Sequence, residues 1–86
     1  MGHHLTSFQG SITDAVRSAI EAKLPGSTVE VEGGGGHFSI VVTSALFANV
    51  SKLECQRMVY AAITHLMSGD MAPVHAVDSL RTKTPA

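Results

Sequence analysis

Four consecutive glycines, Gly33 to Gly36, stand between two segments that alternate apolar and polar residues. Before them, Thr28 to Glu32 places Val29 and Val31 on one face and Glu30 and Glu32 on the other. After them, Phe38, Ile40 and Val42 alternate with Ser39, Val41 and Thr43. A period of two marks a half-buried strand, because successive side chains leave opposite faces of a pleated backbone. Two such strands around a glycine-rich connection predict a β-hairpin with one apolar face that other elements must cover. Val41 departs from the polar side of the pattern, which implies cover on both faces of the second strand.

Two helices are available to cover it. Ile12, Val16, Ile20 and Leu24 recur every four residues, with Ala15 and Ala19 widening the stripe and Arg17, Ser18 and Glu21 off it. That spacing predicts an amphipathic helix, capped by Ser11 or Thr13, with Asp14 in its first turn and Pro25-Gly26 as its stop. Beyond the hairpin, Ser44 to Val50 reads as a short helical turn whose Leu46, Phe47 and Val50 plug the core. Ser51 then caps a longer helix, and Glu54 three residues on completes a capping box. Leu53, Val59, Ile63 and Leu66 are its expected core side chains, extended by Met58, Ala62 and Met67. Ser68-Gly69-Asp70 ends it.

Pro73 sets an extended entry into a last strand that begins at Val74. There Val74 and Ala76 share one face, and His75 and Val77 the other. Leu80 falls out of phase with this alternation, so Asp78-Ser79 is the expected site of a β-bulge. The order is α-β-β-α(short)-α-β. It implies an α+β fold in which the helices pack on one face of a three-stranded sheet. Residues 1–9 read as a flexible leader and residues 10–86 as one domain.

Composition removes several functions. With six basic and seven acidic residues among 86, the chain lacks the cationic excess that supports strong non-specific binding to nucleic acid. No apolar run approaches the ~18 residues of a bilayer span, and no secretory signal is visible, so no membrane partner is expected. Cys55 is the single cysteine, which excludes an internal disulfide and fits a reducing compartment, the cytoplasm or an organelle matrix. No G-x-S-x-G, H-E-x-x-H or phosphate-loop pattern occurs, and the chain is read as a non-enzyme. Gly33-x-x-Gly36 formally matches the G-x-x-G of KH domains, but it joins two strands where the KH loop joins two helices.

The residues left with chemistry to offer are histidines. His75 lies at the start of the last strand between small apolar neighbours, and His37 follows the glycine run. Imidazole is a competent iron ligand, and glycines let backbone approach a bulky group. A lone histidine at a strand start is more often a hydrogen-bonding surface residue than a ligand. His65 reads as a solvent-facing position of the long helix, and His3 and His4 carry little weight as a metal site near a chain end. Cys55 stands close to a helix start, but no histidine base lies beside it in sequence, and a passive role is expected.

Three segments, in this order, resemble the BolA-like family: Gly-Gly-His37-Phe38 leading into Val41-Val42-Thr43-Ser44-Ala45-Leu46-Phe47; Cys55-Gln56-Arg57-Met58-Val59-Tyr60, at the family's R-H-R-x-V-Y signature; and Val74-His75-Ala76-Val77 with Thr84-Pro85, at its I-H-A-L and T-P ending. The resemblance covers roughly residues 10 to 85. Cys55 replaces the usual arginine, Gln56 matches the branch without the middle histidine, and one extra residue separates Val77 from Leu80. The chain ends soon after Thr84-Pro85, before the acidic and aromatic tail often found there.

The resemblance implies a fold similar to class II KH domains. It also implies a partner, a monothiol glutaredoxin, with a [2Fe-2S] cluster shared between the two chains and glutathione, in iron homeostasis or cluster delivery. His75 corresponds to the family's C-terminal ligand and His37 to its loop ligand. The isolated chain, a monomer or weak homodimer, is then expected to hold no cofactor. The alternative it permits is a KH-like, DNA-binding transcriptional regulator using Lys52, Arg57, Arg81 and Lys83.

Overall fold

The element order is α1 (Ile12–Lys23), β1 (Thr28–Gly34), β2 (His37–Thr43), a 3₁₀ turn (Ala45–Phe47), α2 (Lys52–Met67) and β3 (Ala76–Lys83). The structure, a computed structural model, describes residues 11–86. The leader expected over residues 1–9, with His3 and His4, lies outside the described residues. Strands run in the order β1-β2-β3, the first pair antiparallel and the second parallel. A parallel pair needs a long crossover, and the 3₁₀ turn with α2 supplies it.

Helix α1 begins where Ser11 Oγ accepts the Asp14 N–H at 3.2 Å. It ends at Leu24, whose N–H donates to the Ile20 carbonyl at 2.8 Å before Pro25 breaks the ladder. Its Val16 and Ile20 are fully buried. They form one core with Val29 of β1, Phe38, Ile40 and Val42 of β2, and Val59, Ile63 and Leu66 of α2. Glu30, Glu32 and Ser39 on the opposite pleat are exposed. Both helices therefore cover the same face of the sheet, as the alternation requires.

Several expectations need correction. Strand β1 runs two residues past Glu32, so Gly33 and Gly34 are ladder residues rather than loop. The buried face of α2 is Cys55, Val59, Ala62, Ile63 and Leu66, while Leu53 is 59% exposed; the helix turns its first-turn leucine off the face that meets the sheet. In the 3₁₀ turn only Phe47 is buried, and Leu46 projects outward, half exposed. Val41, expected under cover on both faces, is half-buried. The capping box of α2 is also half made: Ser51 Oγ accepts the Glu54 N–H at 3.1 Å, but the Glu54 carboxylate faces Arg57 at 3.6 Å.

The last strand starts later than expected, at Ala76. Val74 is buried in front of it, its N–H held by the Leu66 carbonyl at 3.1 Å. It is anchored to the end of α2, not to the sheet. Val77 packs on the core and His75 is exposed, so the two do not share a face. The expected bulge is present. Val77 lies opposite Phe38 and Ser79 opposite Ser39, leaving Asp78 as the extra residue. The insertion restores phase: Leu80 comes opposite Ile40 and packs against the core.

Candidate functional site

The structure brings His37 and His75 to the same, hairpin-turn end of the sheet. The connection between β1 and β2 is only Gly35-Gly36, closed by the Gly34–His37 pair. Both glycines have positive φ, 63° and 86°, as a tight two-residue hairpin turn of right-handed strands requires. The Gly36 carbonyl accepts from two successive amides, His75 N–H at 2.7 Å and Ala76 N–H at 3.0 Å. This doubly used oxygen ties the entry of β3 to the turn.

Gly36 also forms the seat of the His75 ring. A β-carbon at Gly36 would collide with Cδ2 of His75 and stand 2.8 Å from its Cγ. The imidazole thus lies directly against the Gly36 backbone, with its residue exposed to solvent. The glycine is needed twice, for its φ and for its missing side chain.

His37 is the first residue of β2 and pairs with Ala76, the residue after His75. Its Nδ1 is 3.1 Å from Asp78 Oδ1, and both side chains are more than half exposed. Sequence reasoning assigned Asp78 only to the bulge and missed this contact. The signal that points to it is the broken phase between Val77 and Leu80, which marks a residue released from the ladder.

His37 and His75 could supply two imidazole ligands to a metal centre, short of a full set. A [2Fe-2S] cluster takes four ligands, and histidine can replace thiolate on one iron. Here two exposed histidines stand near the hairpin turn, one with its ring against Gly36 and one at the start of β2. Among the described residues no group of three or more His, Cys, Asp or Glu is arranged to hold a metal ion. Cys55 is elsewhere, buried under the start of α2, its Sγ 3.7 Å from the Val50 carbonyl and 4.0 Å from that of Phe47. His65 is exposed on α2.

The four basic candidates divide. Lys52, Arg81 and Lys83 line one open groove with Val41, Leu80 and Thr82. Arg57 does not line it and instead faces Glu54. The groove lies along Leu80 to Lys83 of β3, roughly 13–23 Å along the strand from Ala76 at about 3.3 Å per residue. No helix among the described residues is long and apolar enough to cross a membrane.

A three-stranded mixed sheet under two helices, with two histidines beside its hairpin turn, defines a small α+β protein. Comparison with known proteins gives the family. The chain belongs to the BolA-like family, whose model matches residues 9–86. It is 32% identical over 87 residues to BolA-like protein 1 of Bos taurus, a match covering 90% of this chain. The chain spans 62% of the length of that curated relative. Among solved structures, a BolA homologue from Coxiella burnetii superposes with a TM-score of 0.72 at 36% identity, covering 88% of this chain and 94% of that one. The BolA domain of SufE1 from Arabidopsis thaliana superposes at 0.70 and 29% identity, covering 91% and 96%.

Proposed function

We propose that this chain is a non-enzymatic iron–sulfur adaptor that binds a monothiol glutaredoxin through a shared [2Fe-2S] cluster, with glutathione completing the ligand set. The observation that carries the reading is the seating of His75 against Gly36, one residue from His37. Two exposed histidines beside the turn form half a ligand set that a partner can complete. His75 is held by its own backbone hydrogen bond, so little ordering is left for the moment of binding. Bound there, the cluster supplies one-electron chemistry, or is itself the cargo passed on. The chain's own residues present ligand nitrogens, with the exposed Gly35 beside them at the turn.

The test is reconstitution with glutaredoxin, iron, sulfide and glutathione, followed by visible absorption and circular dichroism. His75→Ala is expected to abolish the spectrum of the mixed complex. An unchanged spectrum and affinity in that variant would overturn the ligand assignment.

A second reading, binding of DNA in transcriptional control, is favoured by the gathering of Lys52, Arg81 and Lys83 on one groove. It predicts salt-sensitive binding whose log–log slope falls by about 1 for each of these three basic residues replaced by alanine. Arg57→Ala leaves that slope unchanged, because Arg57 lies off the groove.

A further inference from the structure

The bulge at Asp78 has a chemical consequence. A carboxylate only accepts hydrogen bonds, so the 3.1 Å contact requires Nδ1 of His37 to carry the proton. In the neutral ring this leaves Nε2 as the nitrogen with a free lone pair. Histidines that bind metals commonly donate their other ring N–H to a carboxylate, which fixes tautomer and ring orientation together. We infer that Asp78 is a positioning residue that holds His37 in the Nδ1–H tautomer and presents Nε2 as its ligand nitrogen.

Three observations support this role over a merely structural one. First, the pair is exposed, His37 60% and Asp78 57%, and exposed ion pairs add little to stability. Its effect therefore lies in orientation. Second, Asp78 has no opposite number on β2: Phe38 takes Val77 and Ser39 takes Ser79. A residue outside the ladder can aim its side chain along the strand, back to the level of His37. Third, His37 begins its strand beside the turn, where its backbone pairs with Gly34 and Ala76, and the hydrogen bond its ring makes among the described residues is to Asp78. The His75 ring has its own seat on Gly36. The two imidazoles are thus fixed by different means, one by a glycine and one by a carboxylate.

The inference rests on the ligand reading of His37, and its test separates the two. Long-range proton–nitrogen NMR of the isolated chain, at a pH above the ordinary imidazole range, reports the tautomer directly. His37 is expected to be mainly Nδ1–H. In Asp78→Ala it should turn to mainly Nε2–H, the preference of an unrestrained imidazole, and Asp78→Asn should fall between, because its amide oxygen still accepts. Deletion of Asp78 gives a second route to the same result: Ser79 then follows Val77 directly, the register becomes regular, and the fold is kept. In the reconstituted complex, Asp78→Ala should release its cluster to a chelator about tenfold more readily. A His37 that is already Nε2–H, a tautomer indifferent to Asp78, or a tautomer that changes with no change in cluster retention would each overturn the inference. None of these touches the adaptor reading, which stands or falls with His75→Ala.

Discussion

The His75 amide donates to the Gly36 carbonyl at 2.7 Å while the His75 ring lies against the same residue's α-carbon. One glycine thus sets both the position of the backbone and the resting place of the imidazole. The arrangement depends on Gly36 having neither a β-carbon nor a negative φ.

Gly36→Ala should therefore lose about 1–2 kcal/mol from the left-handed backbone alone, with a further loss as the His75 ring is displaced. Gly34→Ala is the control. It lacks a positive φ, and an added β-carbon there meets nothing within 4 Å, so its stability should stay within roughly 1 kcal/mol of the parent, on either side. Urea denaturation of the two variants measures the difference. Equal stabilities would show that Gly36 is not under steric constraint.

Truncations on α2 should follow burial rather than side-chain type. Ile63 is fully buried, and Ile63→Ala should cost about 2–5 kcal/mol through lost burial and the cavity left behind. Leu53→Ala, at a position 59% exposed, should change stability by no more than about 0.5 kcal/mol. Chemical denaturation checks the order, which is the reverse of what a sequence stripe containing Leu53 implies for that residue.

Removal of the α2 cap should be felt at Ser51 more than at Glu54. Ser51→Ala takes away the acceptor for the Glu54 N–H and should cost about 1 kcal/mol. Glu54→Ala removes a carboxylate whose side-chain partner is the exposed Arg57, a contact worth roughly 0–1 kcal/mol. Thermal unfolding of both variants distinguishes a serine cap from a reciprocal capping box.

Cys55 should resist thiol reagents in the folded chain. It is 4% exposed and packed among core side chains, so modification has to wait for local or global opening. Its labelling rate should rise steeply as urea unfolds the protein. Fast labelling in native buffer would show that the thiol is accessible and would reopen a reactive role for it.

Much of the fold is legible in local pattern. The four-residue recurrence from Ile12 to Leu24 gives α1, the alternation on either side of the glycines gives the hairpin, and Ser51 marks the start of α2. Each signal lies within a few residues of chain and reflects a backbone period. The errors share a cause as well. Leu53 and Leu46 are apolar residues in the right kind of segment, yet which face a helix buries is decided by where the sheet stands, and Cys55 takes the core position instead. Val74 alternates correctly with Ala76, but it is captured by the Leu66 carbonyl before the strand begins.

The candidate site divides in the same way. The sequence by itself determined that a glycine-rich connection precedes His37, that a proline-led segment carries His75, and that one residue between Val77 and Leu80 is out of phase. Only the tertiary structure decided that Gly36 carries the ring of His75 and that Asp78 reaches His37. Those contacts depend on the parallel register of β2 and β3, two strands separated by the whole of α2. Side-chain period tells a strand which face to bury, and it carries no information about which distant residue will stand opposite. That choice is made when the crossover helix packs onto the sheet.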